Sequence, residues 1–209
     1  MPLVHSETVT LGCQLMIWKL TESLEELQQT LPSFVDQEEL LATSHPQKKR
    51  EWMAGRILLN QLVSSTGQTF QGLRKDEHGK PFLKNSTHYI SLTHTIDYIA
   101  AVIHPTKQVG IDMERKHEKL LRTSRKYMTQ SEMEQAQSDI PSHCIYWCAK
   151  EAMYKLNGRK KVSFKDDITI KGVIPTATLG LGVLYDEGSL VEATIYIRWV
   201  EDYCLVVAI

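Results

Sequence analysis

The chain has 209 residues, 42% hydrophobic and 23% charged, with 24 Lys and Arg against 25 Asp and Glu for a formal net charge of -1. That length accommodates one large domain or two small ones, and that composition belongs to a globular protein. There is no basic excess of the kind that nucleic-acid binders carry, no apolar run of about 18 residues to cross a membrane, and no basic stretch ahead of an apolar one near the start to mark a signal peptide.

In chain order, Leu11 to Leu20 reads as a strand. Ser23 and Glu26 have capping-box spacing ahead of a helix through Leu24, Leu27 and Leu31. A short helix begins at Asp36, runs to Leu41 and is broken by Pro46. The longest early helix spans Gln47 to Ser64, where Trp52, Ile57, Leu58, Leu59, Leu62 and Val63 recur at helical spacing. Asp76 to Lys84 is a turn around Gly79 and Pro81, followed by strands over Tyr89–Thr93 and Tyr98–Ile103. A second unit begins near Pro105 with a strand over Gln108–Glu114. It continues through a basic, polar helix and the segment Thr129–Glu132 to a strong helix over Ser142–Leu156. A basic turn, Asn157 to Lys161, leads into strand-rich sequence that closes on a hairpin, Thr194–Val200 with Cys204–Ile209. The pattern predicts two units, residues 1–104 and 105–209, each running strand, helices, then strands.

The four cysteines, Cys13, Cys144, Cys148 and Cys204, stand in apolar surroundings and read as buried free thiols of a reducing compartment. Cys144 and Cys148 are four apart and form no CxxC pair, and the sequence offers no further partners for a zinc site.

Two segments carry the chemistry. In Val109-Gly110-Ile111-Asp112-Met113-Glu114 the alternation of a strand turns Asp112 and Glu114 to one face, and Val109, Ile111 and Met113 to the other, into a core. Two adjacent carboxylates repel unless a cation neutralises them, and a hard divalent ion suits such oxygens. The same pattern describes an acidic strand edge in water. In Trp147-Cys148-Ala149-Lys150-Glu151-Ala152-Met153-Tyr154-Lys155 a helix sets Trp147, Glu151 and Lys155 on one face. That spacing fits a carboxylate and an ammonium serving one site, and it fits an ordinary surface ion pair.

Together these segments resemble the 4'-phosphopantetheinyl transferase superfamily, which carries a G-[IV]-D-x-E strand followed later by a W-x-x-K-E-[AS]-x-x-K helix. His78-Gly79-Lys80-Pro81 is similar to its Y-G-K-P turn, with His for the aromatic residue. Ile90-Ser91-Leu92-Thr93-His94-Thr95 is similar to its I-S-H-S segment, with one residue more and Thr93 for Ser. Ala54-Gly55-Arg56 and Thr129-Gln130-Ser131-Glu132 match further family segments in order, whereas a single glycine, Gly158, stands where the family has a Gly-x-Gly-like turn. The resemblance is to the long, surfactin-type monomeric branch. It implies two similar α+β halves related by a pseudo-twofold with the site between them.

The implied reaction moves phosphopantetheine from coenzyme A to a serine of an apo acyl or peptidyl carrier protein and releases adenosine 3',5'-bisphosphate. The implied metal ligands are Asp112, Glu114 and Glu151 around magnesium, or manganese. Glu151, Lys155 and Asp112 are the implied catalytic residues. Coenzyme A contacts fall to Arg56, Lys80, Pro81, Thr93, His94, Lys150 and Lys155. The basic stretch Arg115 to Lys126 is a candidate surface for the carrier. The chain is expected to be cytoplasmic and monomeric, without nucleic-acid or membrane partners. The alternatives are a non-catalytic coenzyme A or nucleotide-binding protein of the same fold, and an interaction module in which these charges only meet water.

Overall fold

The computed structural model describes residues 3–158, 161–186 and 188–209. The chain divides into two compact units, Met1–Lys107 and Gln108–Ile209.

In the first unit, β1 (Leu3–Thr10) and β2 (Cys13–Lys19) form an antiparallel hairpin. Gly12 at its tip has a φ of +83°, which glycine adopts without strain. The expected strand over Leu11–Leu20 is thus β2, and β1 is an addition. Its residues are mostly exposed, so no apolar periodicity marks it. Next come α1 (Leu24–Thr30), α2 (Glu38–Ala42) and α3 (Pro46–Ser65). The α1 capping box forms as expected: Glu26 N donates to Ser23 Oγ at 3.2 Å, and Ser23 N donates to Glu26 Oε2 at 2.8 Å. Pro46 opens α3 at its first position, where its missing N–H costs no helical hydrogen bond.

The turn expected at Gly79 joins a small hairpin of β3 (Leu73–Lys75) and β4 (Pro81–Leu83). Asp76 Oδ1 shapes it by accepting from the N–H groups of His78 and Lys80 at 3.0 and 2.8 Å. Strands β5 (Tyr89–His94) and β6 (Tyr98–His104) complete an antiparallel sheet in the order β1-β2-β6-β5. The apolar stripe of α3 lies on this sheet, with Leu58, Leu59 and Leu62 in one core with Met16, Trp18, Ile99 and Ala101.

The second unit repeats the plan of one long helix on an antiparallel sheet. Its elements are β7 (Gly110–Arg115), α4 (Lys119–Thr123), a 3-10 turn (Ser124–Lys126), α5 (Gln130–Ala136), α6 (Ile140–Asn157), β8 (Ile168–Lys171), β9 (Leu179–Asp186), β10 (Ser189–Val200) and β11 (Tyr203–Ala208). The sheet order is β7-β11-β10-β9-β8, and β10 with β11 is the expected closing hairpin. Asp139 caps α6 by accepting from Ser142 N at 2.8 Å. Gly158, at a φ of +73°, ends the helix with its N–H on Tyr154 O.

α6 packs so closely on β7 that a Cβ at Gly110 would run into the carbonyl oxygen of Ala152 and sit 2.7 Å from Leu156 N. That glycine is what lets strand and helix backbones meet. Among the described residues no helix is long and apolar enough to cross a membrane.

Candidate active site

The register of β7 against β11 sets Gly110 opposite Ala208, Asp112 opposite Val206 and Glu114 opposite Cys204. Because Gly110 lies against α6, its strand face, which also bears Asp112 and Glu114, is the face under the helix. Val109, Ile111 and Met113 are buried, as the alternation requires. The carboxylates therefore do not lie on a solvated strand edge: Asp112 is only 7% exposed, and Glu114 is half-buried.

From α6, Lys155 Nζ donates to Asp112 Oδ1 at 2.7 Å and to Ile111 O at 3.0 Å. Glu151 stands one turn earlier on the same helix face. Burial pushes its carboxyl up to about 7, with the Asp112 charge adding to the rise, Lys155 opposing it and Glu114 adding a further increment. Glu114 is likewise raised, first by burial, against the hydrogen bond from Arg115 N–H and with a push from Asp112. The lysine thus leaves part of the acidic charge unneutralised, and hard oxygen donors of this kind suit a divalent cation. Among the described residues the oxygens of these three side chains do not gather within 4.8 Å of one another. The donor chemistry fits such an ion, and closing the set requires side-chain rotation.

Glu114 and Glu151 open onto a 550 Å³ cavity whose wall is aromatic. Trp147 meets Tyr127 edge-on at 5.0 Å between ring centroids and Phe164 at 5.9 Å. His117, Lys119 and Lys126 also line it.

In the first unit a 380 Å³ cleft is lined by Lys48, Glu51, Trp52, Arg56, Lys75, Gly79, Pro81 and His94, among others. The Arg56 guanidinium lies 4.5 Å over the Trp52 ring and 3.1 Å from Glu39 Oε2. Glu39 also accepts from Trp52 Nε1 at 2.9 Å and from Lys75. His94 Nε2 lies 3.2 Å from Glu51 Oε2 and 3.4 Å from Lys48 Nζ. Lys48, Arg56, Lys75 and His94 line the cleft paired with Glu39 and Glu51, and Arg56 is oriented by its stacking on Trp52 and by Glu39.

Two family models match the chain. The model of the 4'-phosphopantetheinyl transferase N-terminal domain matches residues 36–104, which hold the cleft residues, and that of the 4'-phosphopantetheinyl transferase superfamily matches residues 108–205, which hold the carboxylates and Lys155. The chain belongs to the 4'-phosphopantetheinyl transferase superfamily. No curated protein sequence matches the chain. The family transfers phosphopantetheine and acts on carrier proteins with coenzyme A, typically with a divalent metal.

Within this transferase framework two sequence expectations need correction. Lys150, expected at coenzyme A, is fully buried. Its Nζ donates to Glu132 Oε2 at 2.7 Å, Phe164 O at 2.9 Å and Ile168 O at 2.7 Å. All three ammonium protons are used inside the core, so Lys150 fastens α6 to β8 and the segment before it, and does not reach a phosphate. Thr93, also expected at coenzyme A, is buried on the sheet face opposite His94 and Leu92, both of which line the cleft. Its hydroxyl is turned away from the cleft.

Lys80 borders the cleft between Gly79 and Pro81, and burial pushes its ammonium down to about 8 against the pull of Asp76. Arg159 and Lys160 of the basic turn lie outside the described residues. Tyr127 and Phe164, which wall the acidic cavity, and Glu39, which holds Arg56, were not legible as site residues. Each is isolated in sequence and is recruited only by packing.

Proposed function

We propose that the chain transfers 4'-phosphopantetheine from coenzyme A to a serine hydroxyl of an apo acyl or peptidyl carrier protein, releasing adenosine 3',5'-bisphosphate. The observation that carries this reading is the cluster of Asp112, Glu114 and Glu151 with Lys155 beside an aromatic-walled cavity. Asp112, Glu114 and Glu151 would hold a magnesium or manganese ion, which when bound offsets the negative charge of the pyrophosphate and its transition state. Glu151, with a carboxyl poised near neutrality, takes the proton of the attacking serine hydroxyl. Lys155 holds Asp112 in place through their ion pair and brings positive charge to the leaving phosphate oxygen. The wall of Tyr127, Trp147 and Phe164 offers the uncharged pantetheine arm an apolar surface.

In the first unit, Arg56 and His94, with Lys48 and Lys75, take the phosphates of the nucleotide end, and the backbone around Gly79 to Pro81 lies against adenine. No nucleophilic side chain is required, because phosphoryl chemistry depends on positioning and charge. The reading extends to a cytoplasmic, monomeric enzyme of the surfactin-type branch.

A second reading, a non-catalytic coenzyme A-binding protein of the same fold, is favoured by one observation: Asp112 is engaged by Lys155 and the carboxylate oxygens are not gathered. Intact-mass analysis separates the two. Incubation with coenzyme A, magnesium and an apo carrier should add one phosphopantetheine to the carrier, and none when the carrier serine is alanine. Coenzyme A binding without any mass gain across several carriers would select the second reading.

A further inference from the structure

Cys144 and Cys148 stand one turn apart on α6, and Cys204 is the second residue of β11. The packing of that helix on that strand brings the three Sγ atoms within 4.8 Å of one another, and all three residues are fully buried. Cys13, the remaining cysteine, belongs to the other unit and is not part of the group.

Isolated buried thiols serve as small apolar fillers. Three sulfurs converging from two elements form a different object: a soft, polarisable donor set of the kind that selects thiophilic metals over magnesium or calcium. The protons they carry are weakly held to the surroundings. The Cys144 thiol donates to Glu114 O at 3.4 Å and the Cys148 thiol to Cys204 O at 3.5 Å, both weak S–H bonds, so an ion that displaces those protons sacrifices little. Structural zinc closes on four ligands, and among the described residues no fourth Cys, His, Asp or Glu joins this group. The donor number therefore favours an ion satisfied by three sulfurs.

We propose that Cys144, Cys148 and Cys204 form a three-sulfur site for a thiophilic ion of low coordination number, monovalent copper first among them. Such an ion bridges α6 to β11, beside the strand position of Glu114, which pairs with Cys204. It fastens α6, which carries Glu151, to β11, the strand paired with the one that carries Glu114, and its binding raises the stability of the folded chain.

The test uses the full-length, reduced protein titrated anaerobically with monovalent copper against a chromophoric chelator. One copper per chain is expected, with a rise in Tm, and X-ray absorption at the copper edge should count three sulfur neighbours and no nitrogen or oxygen. Cys204→Ser and Cys148→Ser should lose this binding while circular dichroism shows them folded, and Cys13→Ser should retain it. Failure to compete with the chelator, a shell of nitrogen or oxygen, or copper binding unchanged in Cys204→Ser would overturn the site. The absorption measurement on the unaltered chain decides the matter even if the serine variants do not fold.

Discussion

Lys150 and Lys155 lie on one helix of one motif, yet they do opposite things. The ammonium of Lys150 is fully buried and saturated by Glu132 and two carbonyls, whereas that of Lys155 faces Asp112 in the acidic cluster. Removing a single partner from a buried pair leaves an uncompensated charge. Lys150→Met is accordingly expected to destabilise the fold by about 3–5 kcal/mol, measured as a lowered urea midpoint. Asp112→Ala and Glu151→Ala are expected to abolish transfer with the circular dichroism spectrum unchanged. Residual activity within about tenfold of the parent in either variant would remove the assigned roles.

Glu151 also sets a pH dependence. Burial raises its carboxyl from 4.5 to about 7, so in the metal-free fold it keeps a proton that the unfolded chain has already released. Stability from this group is therefore greatest below its unfolded value, falls as pH rises from 4.5 to about 7, and is level beyond. A cation that needs the ionised form reverses that loss. Magnesium should raise Tm little at about pH 5 and clearly at about pH 8, and Glu151→Gln should flatten the difference. An equal magnesium shift at both values would contradict the arrangement.

At the scale of elements, the contact between β7 and α6 is the one on which the site depends. Gly110 is there because its hydrogen lies where a methyl group would meet the Ala152 carbonyl. Gly110→Ala should cost about 1–3 kcal/mol by overpacking, and it should lower activity by more than its loss of stability explains, since pushing the helix off the strand moves Glu151 and Lys155 from Asp112. Denaturant titration alongside transfer assays checks both.

Much of the element order was legible. The Ser23–Glu26 box and the apolar spacing of α3 are local signals, and local signals survive into the fold. β1 and the β3–β4 hairpin were not legible, because β1 is mostly exposed and the two small strands are three residues each. Pro46 reads in sequence as the residue that breaks the short helix, ahead of one starting at Gln47. The structure makes it a start, as suits a residue without an N–H.

For the whole molecule, both units are built as an antiparallel sheet with one long helix, and each holds part of the proposed chemistry: an anion-binding cleft in the first, carboxylates in the second. If the folded chain alone binds coenzyme A, then at about one hundred times its Kd the ligand should add about 2.7 kcal/mol of stability. Transfer should cease in excess chelator and return with magnesium. Unchanged melting with coenzyme A would count against both the transferase and the non-catalytic binding reading.

The sequence by itself determined that Asp112 and Glu114 share a strand face, that Glu151 and Lys155 share a helix face, and that the segments occur in the order of one enzyme family. Periodicity reports which side chains point together along one element. Only the tertiary structure decided what lies across from each face. It set Lys155 against Asp112, enclosed Lys150, turned Thr93 from the cleft, and brought Cys204 to Cys144 and Cys148. The pairing of Lys155 with Asp112 and the meeting of the cysteines depend on the register of β7 with β11 and on the packing of α6 across them. The enclosure of Lys150 depends on its contacts with Glu132, Phe164 and Ile168, and the place of Thr93 on which face of β5 borders the cleft, all contacts between residues far apart in the chain.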